Sequence, residues 1–129
     1  MMAAKARLFH DYATLEKILQ ASDQGKIKAL GRQVLGFEEE AWRQEREHIV
    51  FEANLAKFSQ NPELKRYLLS TENDVLVEAS PVDLVWGIGL SQDAEGVDQP
   101  TSWPGLNLLG FCLMQVRAQL RQDERPKQL

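Results

Sequence analysis

The architecture of this chain is decided by residues 38–58, which read Glu-Glu-Glu-Ala-Trp-Arg-Gln-Glu-Arg-Glu-His-Ile-Val-Phe-Glu-Ala-Asn-Leu-Ala-Lys-Phe. Trp42, Ile49, Ala53 and Ala56 recur at steps of seven, four and three residues, which places them on one face of a helix. The glutamates that open the stretch lie in the first turn, where acidic side chains interact favourably with the helix dipole. The pattern therefore predicts a long amphipathic helix.

Shorter helices are predicted on both sides of this helix from helix-forming, capping and stop residues. Their residues are 1–9, 12–21, 26–35, 62–69 and 106–121. The first of them has no Ser, Thr, Asp or Asn before it to cap its amide groups, as expected for a chain that starts inside a helix.

Residues 75–86 change the pattern. Residues 75–77 are β-branched and aliphatic, and an apolar run at 84–86 follows Pro81, which together indicate a strand, a turn and a second extended piece. Residues 91–104 read as a polar loop, for which a functional role and a plain surface loop are equally compatible. We therefore predict an α+β fold, a mainly helical single domain with a small β-sheet, over residues 3–121, followed by a C-terminal tail at 122–129.

The composition limits the function classes. The chain has 129 residues, is 43% hydrophobic and 26% charged, and carries a formal net charge of −4, which fits one globular domain. That charge argues against a protein held on nucleic acid or membrane by its overall field, but leaves room for a local phosphate pocket. The only cysteine, Cys112, excludes an intrachain disulfide and a zinc site of cysteine ligands. No metal site and no cofactor are predicted, and a reducing, cytoplasmic setting is expected.

The highest density of candidate catalytic and binding residues lies in residues 76–90, Leu-Val-Glu-Ala-Ser-Pro-Val-Asp-Leu-Val-Trp-Gly-Ile-Gly-Leu. Glu78 and Asp83 flank a proline turn, and carboxylates can stabilise a developing cation or orient an attacking water. Alternatives stay open for both: Glu78 suits a structural salt bridge, and Asp83 suits a turn in which its side chain bonds nearby backbone amides. Trp86 suits either the core or a ligand platform.

Other candidates are weaker when taken singly. Trp42 suits burial in the core and also a wall on which a base stacks. Lys5, Arg32, Arg46 and Lys57 suit phosphate binding, but also suit solvated side chains whose stems cover apolar surface.

Taken in order, several stretches resemble the YbiA/NADAR family of N-glycosidases. They are residues 3–6, 30–32, Trp42 with Arg46, 57–58, 68–71, 76–90 and 103–110, the last continuing into 113–114 and Arg117. The resemblance implies hydrolysis of the ribose–base N-glycosidic bond of phosphoribosylated aminopyrimidine intermediates of riboflavin biosynthesis, releasing ribose 5-phosphate. Related members act on ADP-ribosyl linkages, including those on nucleobases, so an ADP-ribosyl hydrolase and a non-catalytic ADP-ribose or NAD-binding module are the alternatives. The implied partner is a small phosphoribosyl or ADP-ribosyl molecule, with nucleic acid only as a modified substrate.

The resemblance also implies site residues. The family's catalytic set is a glutamate, a tryptophan and an aspartate. The tryptophan maps to Trp42 and the aspartate to Asp83, whereas the glutamate lies in a Ser-Glu-His-Tyr-like stretch that this sequence does not contain. We therefore expect an N-terminally shortened member whose turnover is lower by about two to four orders of magnitude. The substrate-binding residues expected are Lys5, Arg32, Arg46, Glu78, Trp86, Gly87, Gly89 and Asn107.

Overall fold

The computed structural model describes residues 1–126 and forms two compact units, Met1–Ile49 and Val50–Leu129. The α-helices of the described residues are α1 (Met2–Leu8), α2 (Tyr12–Gln20), α3 (Gln24–Arg32), α4 (Glu39–Gln60), α5 (Pro62–Ser70) and α6 (Leu108–Glu124), and a short 3₁₀ turn covers Pro100–Ser102. No helix in this part of the chain combines the length and the apolar character needed to cross a membrane.

The first unit is organised by α1, α2 and α3, which pack on one another. Their buried core consists of Ala6, Leu15, Ile18 and Val34. Asp11 caps α2, because its Oδ1 accepts a hydrogen bond from the Thr14 amide at 3.1 Å. Its Oδ2 accepts a second bond from the Leu35 amide at 2.9 Å, which ties the start of α2 to the segment after α3.

The second unit is built on α5 and α6, which pack together around a core of Val50, Leu68, Cys112, Val116 and Leu120. The buried guanidinium of Arg117 donates hydrogen bonds to Thr71 Oγ1 at 2.7 Å and to the Asp74 carbonyl oxygen at 2.9 Å. These bonds satisfy a buried charge with good partners and fix the chain where it leaves α5.

The predicted α+β fold with a small β-sheet is wrong, because residues 1–126 form helices, turns and loops without a β-strand. Residues 75–79 run without regular secondary structure, and a side chain rather than a second strand bonds to them. Asn107 Oδ1 accepts from the Glu78 amide at 3.1 Å, and Asn107 Nδ2 donates to the Leu76 carbonyl oxygen at 3.0 Å. Strand-type residues formed no sheet here because a sheet also needs a neighbouring backbone.

The second predicted extended piece, residues 84–86, is a tight turn. The Asp83 side chain accepts hydrogen bonds from the amides of Val85 and Trp86 in this turn. The backbone carbonyl groups of residues 84–86 accept hydrogen bonds from the segment that leads into α6. The helix predictions are nearer to the structure: α4 begins at Glu39, and α6 begins two residues later than predicted, at Leu108. Residues 122–124 of the predicted tail belong to α6, and residues 127–129 lie outside the described residues.

Candidate active site

Asp83 is the central residue of a turn in the second unit. Its Oδ1 accepts hydrogen bonds from the amides of Val85 at 3.0 Å and Trp86 at 2.8 Å. Its own amide donates to Ser80 Oγ at 3.2 Å. The turn considered as an alternative from the sequence is therefore present, and it holds the carboxylate in one orientation.

The second oxygen of the same carboxylate is not used by the turn. Asp83 Oδ2 has no hydrogen-bond partner within residues 1–126, and the side chain is half-buried. A carboxylate oxygen has lone pairs that readily accept hydrogen bonds. Asp83 therefore presents one oxygen, held by a rigid turn, that remains able to bind water or a ligand.

Glu78 is placed near this turn through its backbone. Its carbonyl oxygen accepts hydrogen bonds from the amides of Ser80 and Ile88, both at 3.0 Å. Its side chain is exposed, and forms no ion pair with any residue of the described chain, so the salt-bridge alternative finds no support there. The carboxylate is open to solvent.

Gly87 and Gly89 are required by the packing of the turn. A Cβ at Gly87 would lie 2.9 Å from the Asp83 carbonyl oxygen and 3.0 Å from that of Glu78, closer than side chains tolerate. Gly89 has a φ of +76°, which favours glycine. The Gly87 carbonyl oxygen accepts a bond from the Asn107 amide at 3.0 Å, so this group is occupied within the protein.

The carbonyl groups of residues 84–88 all accept hydrogen bonds from the amides of residues 105–109. Among them, the Leu108 and Leu109 amides at the start of α6 donate to the carbonyl groups of Val85 and Trp86, both at 3.1 Å. The first amides of a helix often bind anions because they lack partners within the helix. Since protein carbonyl groups occupy both amides, they are not available for a phosphate.

Asn107 and Trp86 support the turn from the inside. Asn107 is fully buried, and its side-chain amide bonds to residues 76 and 78 as described above. The Trp86 ring is half-buried and packs against the core of the second unit. The second unit thus brings five predicted site residues into one network, namely Glu78, Asp83, Trp86, Gly87 and Asn107, with Gly89 next to them in the chain.

In the first unit the structure brings Lys5 and Trp42 together. Lys5 Nζ lies 5.7 Å from the centroid of the Trp42 ring and 4.7 Å from that of Phe37. Both distances are within the range of attraction between a cation and an aromatic ring. Burial lowers the pKa of Lys5 from its ordinary value of 10.5, because desolvation disfavours the charged form. Lys5 is thus a partly desolvated amine that lies against two aromatic rings.

Phe37 was not predicted from the sequence. It also packs edge-to-face on Phe9, with ring centroids 5.3 Å apart and an angle of 65° between the rings. The available signal was an aromatic residue directly after Gly36 and just before the acidic start of α4. Without knowledge of where α1 lies, that signal does not connect Phe37 with Lys5.

The predicted arginines differ in their surroundings. Arg46 lies one helical turn after Trp42 on α4, and its Nε is buried without a hydrogen-bond partner in residues 1–126. A buried donor that lacks a partner is costly and is often explained by a missing ligand or water. Arg32 is exposed at the C-terminal end of α3.

Two cavities of the described chain involve none of these residues. A pocket of about 420 Å³ in the first unit is lined by Lys17, Gln20, Ala21, Lys26 and Leu30. A groove of about 380 Å³ in the second unit is lined by Val75, Val77, Ala79, Gln92, Val97, Asp98, Pro100 and Trp103. Neither encloses Asp83.

The comparison with known families agrees with the ordered stretches noted in the sequence. A model of the NADAR domain matches residues 1–121. This chain belongs to the NADAR family. The resemblance predicted from the sequence is therefore confirmed.

Individual NADAR relatives are similar over most of this chain. N-glycosidase R617 of Acanthamoeba polyphaga mimivirus is 49% identical over 123 residues, which cover 95% of this chain and 72% of R617. N-glycosidase YbiA of Escherichia coli is 32% identical over 116 residues, or 90% of this chain and 66% of YbiA. The chloroplastic riboflavin biosynthesis protein PYRR of Arabidopsis thaliana is 38% identical over 112 residues, or 84% of this chain and 17% of PYRR. The matched region is thus only part of each of these relatives.

Proposed function

We propose that this NADAR chain is an N-glycosidase that hydrolyses the ribose–base bond of phosphoribosylated aminopyrimidine intermediates of riboflavin biosynthesis. Two relatives carry the name N-glycosidase, and a third is named a riboflavin biosynthesis protein. The observation that carries the proposal is the Asp83 carboxylate, half-buried and held by two backbone amides through one oxygen while the other stays available.

The chemistry needs such a group because the sugar becomes cationic as the base leaves. The bond between ribose C1′ and the base nitrogen breaks, and its electrons go to the base, which takes up a proton and departs as an amine. Water oxygen bonds to C1′ and loses a proton, which gives ribose 5-phosphate. Asp83 Oδ2 stabilises the positive charge on the sugar and orients the water for attack.

The anchored oxygen contributes through preorganisation. Because the Val85 and Trp86 amides already fix Oδ1, the carboxylate need not reorganise when charge develops on the sugar. Glu78, which bonds to the same network through its backbone, supplies a second negative charge from an exposed side chain.

The first unit, taken by itself, holds groups of the chemical types that suit a base and a phosphate. We assign the Trp42 ring to the aminopyrimidine, since an indole offers a flat apolar surface for stacking. The cations of Lys5 and Arg46 are assigned to the phosphate, with Arg32 as a further cation. The support for Arg46 is its buried Nε donor, which residues 1–126 leave unbonded.

The experiment that tests the proposal measures release of reducing sugar from the phosphoribosylated aminopyrimidine. Asp83→Asn keeps a side-chain oxygen for the Val85 and Trp86 amides but removes the charge, so we expect turnover to fall by about 10²- to 10⁴-fold. Asp93→Asn is the matched control, because Asp93 is an exposed acid outside the network. Turnover by Asp83→Asn equal to that of the control would remove Asp83 from the mechanism.

A second candidate is a module that binds ADP-ribose or NAD without chemistry, and a third is hydrolysis of ADP-ribosyl linkages. The turn is compatible with a module that performs no chemistry, since holding the backbone is by itself a sufficient reason for an aspartate at position 83. Calorimetry with ADP-ribose, combined with the sugar assay on both substrate classes, separates the three. Binding without sugar release supports the module, whereas release from ADP-ribosylated nucleobases alone supports the ADP-ribosyl hydrolase.

A further inference from the structure

The Lys5 side chain, on α1, carries its charge at the end of a long and flexible stem. A lysine that moves freely has to be ordered each time it binds an anion, and this ordering weakens the binding. A contact that holds the ammonium group before the ligand arrives removes part of that cost. The first unit provides such a contact through Phe37, a residue outside the set predicted from the sequence.

The contact of Lys5 with Phe37 is closer than its contact with Trp42. Lys5 Nζ lies over the Phe37 ring, 4.7 Å from the ring centroid, compared with 5.7 Å for Trp42. An ammonium group over the face of a ring is attracted by the negative charge density of that face. Burial lowers the pKa of Lys5, in agreement with partial removal of water from the amine. Phe37 is therefore the nearer of two rings that hold this amine.

Phe37 is itself fixed by the packing of the first unit. Its ring packs edge-to-face on Phe9, with centroids 5.3 Å apart, and Phe9 packs against the buried core of this unit. Gly36, directly before Phe37, has a φ of +77°, and a Cβ there would lie 3.6 Å from the Phe9 carbonyl oxygen. The left-handed conformation favours glycine and lets the chain turn here. A ring anchored in this way can restrain a flexible lysine.

We propose that Phe37 is a positioning residue, which holds the Lys5 ammonium group beside the Trp42 ring for binding of the substrate phosphate. This inference rests on the proposed function, since the phosphate is assigned to Lys5 there. Phe37 acts through Lys5 and takes no part in breaking the bond to the base. Its loss should therefore weaken substrate binding and leave the chemical step at Asp83 unchanged.

The first test measures the contact between Lys5 and Phe37 by NMR of the whole chain. An aromatic ring shields protons that lie over its face, so the Lys5 ε-methylene resonances should move downfield in Phe37→Leu, which keeps apolar bulk but has no ring. Phe37→Tyr restores a ring and should keep the wild-type shifts. Lys57, whose Nζ lies 5.6 Å from the centroid of the Phe58 ring, is the internal control and should not change. Unchanged Lys5 shifts in Phe37→Leu would overturn the proposal.

The second test measures KM and kcat for release of reducing sugar from the phosphoribosylated aminopyrimidine. Phe37→Leu should raise KM by about two- to fivefold, as expected for the loss of one exposed contact between a cation and a ring, with kcat unchanged. Phe37→Tyr should restore KM. Tyr12→Leu is the matched control, because Tyr12 is an exposed aromatic residue of the same unit that contacts His10. A fall in kcat with KM unchanged would contradict the positioning role.

A double substitution shows whether Phe37 acts through Lys5. In Lys5→Met the charge to be positioned is absent, so the addition of Phe37→Leu should raise KM no further. A second rise as large as that in the wild-type background would mean that Phe37 contributes independently, against the proposal. Failure of the proposed function is seen separately. A wild-type chain that releases no sugar contradicts the hydrolase, whereas normal turnover with a KM insensitive to Phe37→Leu contradicts only the role of Phe37.

Discussion

Asp11 in the first unit and Asp83 in the second are both aspartates that bond backbone amides, but they differ in how many of their carboxylate oxygens are used. Asp11 uses both oxygens, Oδ1 for the Thr14 amide and Oδ2 for the Leu35 amide. Asp83 uses Oδ1 for two amides and leaves Oδ2 without a partner in the described chain. The first is fully committed to the fold, whereas the second combines a structural bond with a spare acceptor.

The difference shows why residue type alone does not define a site. An aspartate beside a turn has the same structural explanation in both units, and only the count of occupied lone pairs distinguishes them. The same count applies to the amides at the start of α6, which suit a phosphate by type but are occupied by the carbonyl groups of Val85 and Trp86.

The largest loss of stability is expected from a substitution where the Asp83 turn packs against the segment before α6. A Cβ at Gly105 would overlap the Gly87 carbonyl oxygen and the Ile88 backbone, neither of which can move without breaking the network. Gly105→Ala should therefore lower the free energy of unfolding by about 3 kcal/mol, measured by urea denaturation. Gly25→Ala is the control in the first unit, because it lies in α3 with its nearest neighbour at 3.4 Å, and should be neutral or stabilising.

The comparison of the two aspartates is tested directly by the same amide substitution at each. An asparagine has one side-chain oxygen, so Asp11→Asn must place its NH₂ against the amide of either Thr14 or Leu35, and Tm should fall by about 5 °C. Asp83→Asn can keep its oxygen on Val85 and Trp86, so its Tm should stay within about 2 °C of the wild type. Equal losses would show that Asp83 Oδ2 is also committed to the fold.

The contribution of Asp11 to stability should be lost at low pH. The Leu35 amide, followed by Thr14, holds the pKa of this carboxyl below its ordinary value of 3.8. The unfolded chain therefore takes up the proton first as the pH falls, and the stability that Asp11 contributes is present above pH 3.8 and lost as the pH drops through the lower folded pKa. Urea denaturation at several pH values should show wild type and Asp11→Asn converging in acid. A constant difference down to pH 2 would contradict this.

The smallest change in stability is expected from the titration of Lys5. Its pKa lies below 10.5 because burial disfavours the ammonium, so between the folded pKa and 10.5 the unfolded chain binds more protons and stability rises with pH. Relative to Lys5→Met, the wild type should gain stability across that alkaline range. Parallel curves for the two proteins would show that the Lys5 amine is solvated as in the unfolded chain.

Much of the helical framework was predictable because its signals are local. The spacing of the apolar residues and the acidic first turn of residues 38–58 predict α4, and α5 begins at Pro62 as predicted. The turn at Asp83 was also among the alternatives, since an aspartate shortly after a proline bonds amides two and three residues ahead. The prediction of a sheet failed because strand propensity at 75–77 says nothing about whether a second strand lies beside it.

The sequence by itself determined the helices, the family and the chemical types at the candidate site, because these depend on neighbours a few residues apart and on ordered identities along the chain. Only the tertiary structure decided which atoms remain available. Asn107 reaches back about thirty residues, and its side-chain amide bonds to the backbone of Leu76 and Glu78. Such long-range bonds depend on how distant segments pack, and within residues 1–126 this packing leaves Asp83 Oδ2 without a hydrogen-bond partner.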